Sequence, residues 1–172
     1  GSGRLFGVYL QDAWKPLDGV TVNYGIRFDT VDSFVRENQW SPRIGVVWQA
    51  TPATTLHAGY ARYFTPPPSE LVTSATLGNF YATTNAPPST LNDPVSSERS
   101  HYFDAGITQK LAPGLTVGLD GYYQRAKQQL DDGLFGQTLI LSAFNYAKGE
   151  VHGVEFTSSY DLGGWSTYAN IA

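Results

Sequence analysis

Along residues 20–30, apolar and polar side chains take turns. Val20, Val22, Tyr24, Ile26 and Phe28 fall on one side, and Thr21, Asn23, Gly25, Arg27 and Asp29 on the other. A repeat of two is the side-chain period of a β-strand. The run is roughly twice the ordinary strand length of ~5–6 residues. It matches the ~9–11 residues that a tilted strand needs to cross a membrane. The same alternation recurs with more noise. Phe6, Val8, Leu10 and Trp14 share a parity, broken by Asp12, and so do Pro42, Ile44, Val46 and Trp48. Leu56, Ala58, Tyr60 and Phe64 mark a fourth strand, and Phe103, Ala105, Ile107 and Leu111 a fifth. Leu115, Val117, Leu119 and Tyr123, then Val154, Phe156 and Tyr160, and finally Trp165, Thr167, Ala169 and Ile171 mark three more.

Between paired runs lie short segments rich in Pro and Gly: Pro16–Gly19, Thr51–Thr54, Ala112–Gly114 and Leu162–Gly164. Pro presets one backbone angle and Gly allows a positive φ, so each reads as a tight turn. The pattern predicts hairpins over about 4–30, 41–64, 99–126 and 147–172, joined by longer loops over about 31–40, 65–98 and 126–149. The loop over 126–149 holds an apolar stretch, Thr138–Phe144, which either extends the flanking strands or folds back as a hairpin. The expected fold is all-β: an antiparallel up-and-down meander of about eight strands, part of a transmembrane β-barrel. Tight turns at one end and long loops at the other are what an outer-membrane barrel needs.

Alternation alone does not say what the apolar face meets. Trp14, Trp48 and Trp165 all lie on that face beside tight turns. Indole has an apolar body and one polar N–H, which suits a membrane–water boundary. These three predict one aromatic girdle, and Phe28, Phe64, Phe103 and Tyr123 the opposite one, with Phe6 beside them. The other face carries Asn23, Arg27, Asp29, Arg43, Gln49, His57, Asp104, Asp120, Gln124 and Glu155. In a bilayer these must look into a wet or plugged interior, because Lys or Arg toward lipid at mid-depth costs ~2–4 kcal/mol. The alternative is a soluble or surface-exposed β-sheet binding module, with carbohydrate as a candidate ligand, whose polar face is solvated. Arg4, Arg62, Arg99 and Arg125 sit on the apolar face at the loop end. There they are candidates for lipopolysaccharide contact, since guanidinium forks match phosphate oxygens.

Composition narrows the chemistry. The chain has 172 residues, no Cys and a formal charge of −4. No disulfide or thiolate metal site is available, and the acidic balance argues against a nucleic-acid partner. No run approaches the ~18 apolar residues of a spanning helix. The opening residues lack a basic-then-apolar leader, so any export signal is expected outside this sequence. Asp104, Asp120 and Glu155 share a face, which makes a hydrolytic carboxylate pair, hence an outer-membrane barrel enzyme, conceivable. Charges lining a wall are the plainer explanation, and no catalytic residues are assigned. His57 faces the polar side while His101 and His152 face the other, so no metal site or cofactor is expected. Phe80, Tyr81, Phe135 and Phe144 in the loops could stack on a solute. Arg27, Arg43, His57 and Tyr63 on the inner face could meet an anionic ligand or a plug. For the inner charges the simpler reading is mutual pairing, with Arg27, Asp29 and Arg43 as one cluster.

Several segments resemble a known family. VYLQDAW (Val8–Trp14), NYGIRFD (Asn23–Asp29), SPRIGVVW (Ser41–Trp48), TLHAGYARYFTPPPSEL (Thr55–Leu71), FDAGI (Phe103–Ile107) and NYAKGEVHGVEFTSSY (Asn145–Tyr160) are similar to the barrel of TonB-dependent outer-membrane receptors. The resemblance implies a larger barrel of ~22 strands with a plugged lumen. It implies uptake of a scarce solute such as a siderophore-bound iron, a vitamin or a sugar, driven through TonB acting on a plug. It also implies residence in the outer membrane of a Gram-negative bacterium, against lipid and lipopolysaccharide. No plug or TonB-contacting segment matches this sequence, so the chain is expected to be part of the barrel wall. An open eight-stranded sheet would leave two unpaired edges, so further barrel strands are expected beside it.

Overall fold

A computed structural model describes residues 3–33, 35–68, 95–135 and 140–172, with the side chains of 132–135 and 140–142 outside that description. Eight strands form a single sheet: β1 (Arg4–Leu17), β2 (Val20–Asp32), β3 (Arg36–Thr51), β4 (Thr54–Thr65), β5 (Glu98–Ala112), β6 (Leu115–Phe135), β7 (Ile140–Leu162) and β8 (Trp165–Ile171). Each strand pairs with its sequence neighbours, in the order β1 to β8, and every pair is antiparallel. This is the meander that the hairpin pattern predicts. Among the described residues β1 and β8 do not pair with each other, so the sheet is open.

The register ties the single-strand patterns into rows. Ile44 stands opposite Tyr24 and Tyr60, Tyr60 opposite Phe103, and Phe103 opposite Tyr123. Thus the apolar parity of one strand meets the apolar parity of the next. Among the described residues nothing forms a second layer. The buried apolar residues there are Val31, Ala126 and Ala143 alone, while Leu10, Trp14, Ile44, Trp48, Val154 and Phe156 are exposed. A soluble sandwich would need another sheet over this face, and the described residues supply none.

At the tight-turn end, two-residue connections suffice. Gly114 takes φ 78°, a left-handed angle that costs glycine no Cβ clash. Its carbonyl accepts a 2.9 Å hydrogen bond from Asp161 N, which ties the turn to β7. Beside three of these turns the register shifts, at Trp14/Leu17, Gln49/Thr51 and Lys110/Ala112. Such bulges add twist and help to curve a sheet.

The opposite end corrects two expectations. The loop expected over 31–40 is strand on both sides, β2 running to Asp32 and β3 starting at Arg36. The region expected as loop over 126–149 continues as ladder from Lys127↔Lys148 to Phe135↔Ile140. From Ile140 onward the apolar stretch is therefore part of β7. Both errors have one cause: above the apolar band nothing demands greasy residues on alternate positions, so paired strand there reads as polar loop. At about 3.4 Å per residue, the roughly eight extra residues on each of β6 and β7 project about 27 Å beyond β5. Residues 66–97 remain a connection between β4 and β5, of which 69–94 lie outside the described residues.

Candidate functional site: the inner wall

The outer face sets the frame. Trp14, Trp48 and Trp165 lie beside the turns and are 59 %, 49 % and 76 % exposed. At the other end Phe28 packs on Trp40 with centroids 4.8 Å apart, Tyr60 on Phe103 at 5.0 Å, and Phe103 on Tyr123 at 6.5 Å. Trp40 was hidden from sequence reasoning by its assignment to a loop. Its even number, shared with Pro42, Ile44, Val46 and Trp48, is the signal that could have found it. Eight residue steps separate Trp40 from Trp48. At about 3.4 Å per step and a tilt of about 40°, that is ~20 Å of height, near the ~25 Å apolar band of outer-membrane barrels.

The opposite face is polar and crossed by side-chain contacts. Arg27 Nε donates to both Asp29 carboxylate oxygens at 2.8 Å, and Asp29 is only 7 % exposed. Arg43 departs from the cluster expected with Arg27 and Asp29: its guanidinium donates to Gln11 Oε1 across β2. One hollow takes Gln11, Arg43, His57, Tyr63, Tyr102 and Asp104 from this face, with Tyr24, Ile44 and Tyr60 of the other parity at its edge. An adjoining hollow shares Gln11, Arg43 and Tyr63 and adds Arg27 and Tyr9. Tyr63 and Tyr102 meet edge to face at 6.3 Å.

His57 is the hub of the β4–β6 stretch. Its Nε2 lies 3.0 Å from Asp120 Oδ1 and 3.7 Å from Asp104 Oδ2. The residue between His57 and Asp120 in the ladder is Gly106. A Cβ there would overlap Asp120 Oδ1 and stand 2.5 Å from His57 Cε1. The missing side chain is the space in which the two groups meet. Asp104 and Asp120 thus converge on the imidazole instead of flanking a gap, and Glu155 accepts from Asn170 Nδ2. Among the described residues no group of three or more His, Asp and Glu side chains is arranged to hold a metal ion.

The rim is built by three anchors that sequence reasoning missed. Asn145 Oδ1 accepts from Ser96 N at 2.8 Å, while its Nδ2 donates to Ser96 O at 2.9 Å and Gln128 O at 2.8 Å. Glu37 Oε2 accepts from Ser97 N at 2.7 Å, and Glu98 Oε2 from Leu130 N at 2.9 Å. These bonds fix the returning end of the β4–β5 connection against β3, β6 and β7. Gln128, at φ 52°, turns its backbone out of the strand range where Asn145 receives it.

Of the expected ligand residues, Arg27, Arg43, His57 and Tyr63 share the inner wall. Phe80 and Tyr81 lie outside the described residues, as does the side chain of Phe135. Phe144 lies on β7 with opposite parity to Asn145 and meets Tyr146 edge to face at 5.1 Å. The four loop-end arginines separate. Arg4 stands opposite Asp32, whose carboxyl is held below its ordinary value of 3.8 by the hydrogen bond and charge of Arg36, with Arg4 adding a smaller pull. Arg62, Arg99 and Arg125 gather on β4, β5 and β6.

Comparisons with known proteins agree with this geometry. The family model described as "TonB dependent receptor-like, beta-barrel" matches residues 1–172. The TonB-dependent transporter Oar of Myxococcus xanthus is 34 % identical over 82 residues, covering 42 % of this chain and 8 % of Oar. The siderophore receptor PirA of Pseudomonas aeruginosa superposes with a TM-score of 0.73 at 23 % identity, covering 96 % of this chain and 33 % of PirA. The FrpB iron transporter of Neisseria meningitidis gives 0.69 at 17 % identity, covering 98 % of this chain and 25 % of FrpB. The ferric enterobactin receptor PfeA of Pseudomonas aeruginosa, in complex with enterobactin, gives 0.71 at 23 % identity over 94 % of this chain and 25 % of PfeA. The chain therefore spans a quarter to a third of these solved receptors and a smaller share of Oar.

Proposed function

Because the chain belongs to the TonB-dependent receptor β-barrel family, we propose that it forms part of the wall of an outer-membrane importer in a Gram-negative bacterium. The importer takes up a scarce small solute, for which a siderophore-bound iron, a vitamin or a sugar are the candidate classes. The carrying observation is a one-layer sheet with two unlike faces. Its outer face is apolar between two aromatic rows, and its inner face is polar and hollowed. Lipid suits the first and an aqueous, plugged lumen the second.

In this reading Arg27, Arg43, His57 and Tyr63 face the solute or the plug, and Phe80, Tyr81, Phe135 and Phe144 contribute from above. TonB acts through a plug that these residues do not include. The outer partners are lipid and lipopolysaccharide, the latter at the loop-end arginines. The wall performs no reaction: it binds and orients, and the chemical energy comes from elsewhere. Relatives named for iron, siderophore and enterobactin make iron chelates the first solutes to test.

The test is uptake by cells carrying or lacking the full-length receptor. Radiolabelled ferric chelates, cobalamin and oligosaccharides are offered singly, with and without functional TonB. The reading expects one class to be taken up only when both receptor and TonB are present. Recovery of the receptor in the soluble fraction, or TonB-independent uptake of every solute, contradicts it.

A further inference from the structure

The register gathers cations in a way that parity on single strands could not show. Phe64, Arg99, Lys127 and Lys148 occupy one row across β4, β5, β6 and β7. Arg62, His101, Arg125 and Glu150 occupy the row nearer the aromatic belt. Tyr60, Phe103 and Tyr123 form the belt just below. Five cations thus cover four adjacent strands on the outer face, directly above the apolar band.

Among the described residues their partners do not balance them. Glu150 Oε1 lies 3.6 Å from Arg125 Nε, and Glu37 Oε1 lies 3.6 Å from Arg99 Nη2. Arg99 also donates to Asn38 O at 3.2 Å and caps the Phe64 ring at 5.4 Å. Arg62 reaches Trp40 O at 3.5 Å, while its buried Nε has no hydrogen-bond partner among the described residues. Lys127 and Lys148 have no ion-pair partner among the described residues. Yet Lys127 stands directly opposite both Arg99 and Lys148. Like charges facing each other across strands destabilise a sheet, so three successive cations in one row call for an external anion.

Building on the receptor reading, we propose that these two rows form a shelf for the phosphate groups of the outer leaflet's phosphorylated glycolipid. Arg62, Arg99, Arg125, Lys127 and Lys148 supply the charge. Guanidinium forks grip phosphate oxygens in pairs and ammonium groups add point charge. The acyl chains of the same lipid lie down the apolar face past Tyr60, Phe103 and Tyr123. This narrows the expectation drawn from four arginines: Arg4 is three strands away from Arg62 and stands beside Asp32, so it is not part of the shelf.

The experiment uses the full-length receptor extracted in mild detergent from outer membranes. Lipopolysaccharide that copurifies is measured for the native protein, for Arg125→Gln/Lys127→Gln/Lys148→Gln, and for Arg4→Gln. The triple variant is expected to lose about tenfold of its bound glycolipid, as loss of charge-assisted phosphate contacts requires. Arg4→Gln is expected to lose none. Heat-dependent gel mobility confirms that each barrel is folded. A second arm needs no variant. The delipidated native receptor is offered intact lipopolysaccharide, phosphatase-treated lipopolysaccharide, phosphatidylglycerol vesicles or inorganic phosphate. Binding is expected to favour intact lipopolysaccharide over all three. Equal retention by the triple variant, or equal binding of the dephosphorylated glycolipid or phosphatidylglycerol, overturns the shelf. An embedded receptor that imports solute but ignores the phosphates refutes the shelf alone. Recovery in the soluble fraction refutes both shelf and receptor.

Discussion

A methyl group on Gly106 would collide with Asp120 Oδ1 and crowd His57. The His57–Asp120 contact at 3.0 Å depends on that vacancy. Gly106→Val should therefore push the two side chains apart at an overpacking cost of about 1–3 kcal/mol. The measurement is urea unfolding of the full-length receptor in liposomes. Adding His57→Ala should recover part of the loss, because it vacates the same space. Additive losses in that double variant would show that the collision is not the cause. A second residue-scale prediction concerns Asp32, at the polar tip above the aromatic row. Arg36 donates to its Oδ2 at 2.8 Å and lowers its pKa. A depressed folded pKa means that the pair holds above the ordinary carboxylate range and opens only as pH falls through the lowered value. The Asp32 carboxyl resonance should titrate below 3.8, and Arg36→Gln should move its midpoint upward. At this scale the parity of Arg27, Arg43, His57 and Tyr63 was legible, because each strand carries its own two-residue repeat. Their partners were not. That Arg43 reaches Gln11, and that Tyr102 joins Tyr63, depends on register between strands, which no single strand encodes.

The elements divide at the aromatic rows. Between Trp48 and Trp40 a strand must alternate, since one face meets an apolar medium and the other a polar one. Those segments were readable. Beyond Trp40 that demand lapses, and the paired residues of 31–32, 36–40, 127–135 and 140–149 look like loop by composition. The β6–β7 arm shows what replaces apolar patterning there. Its inner side is pinned by Asn145, which bridges the Ser96 backbone and Gln128 O. Asn145→Leu keeps the volume but strands the Ser96 amide and the Gln128 carbonyl. The expected penalty is about 1–3 kcal/mol for buried groups left unsatisfied. Hydrogen exchange should report it locally, as faster exchange at Ser96 and in residues 127–131 with little change near the tight turns. Uniform acceleration along all strands would mean that Asn145 supports the whole sheet, not the rim.

At the scale of the whole molecule the sheet is a wall, not a closed body. β1 and β8 each have one neighbour among the described residues, and exposed strand edges invite pairing. The family to which the chain belongs closes such walls into barrels, and the chain covers about a quarter to a third of its solved relatives. Ile44 stands midway between Trp40 and Trp48. Ile44→Arg in the full-length receptor should cost about 2–4 kcal/mol, because the charge meets lipid at mid-depth. Val47→Arg, on the inner face, should stay within about 0.5 kcal/mol. Folding titrations into liposomes compare the two, and equal penalties would remove the distinction between the faces. The most direct test places single spin-labelled cysteines along Val20–Thr30 and Ser41–Gln49 of the full-length receptor in liposomes, a stretch with no native Cys. Accessibility to dissolved oxygen and to a water-soluble nickel chelate is then read at each position. The account predicts two opposed waves of period two, oxygen peaking at Val22, Ile26, Ile44 and Val46, and the chelate peaking at Asn23, Arg27, Arg43 and Gly45. Low oxygen access at the first set, with free chelate access on both faces, would contradict it.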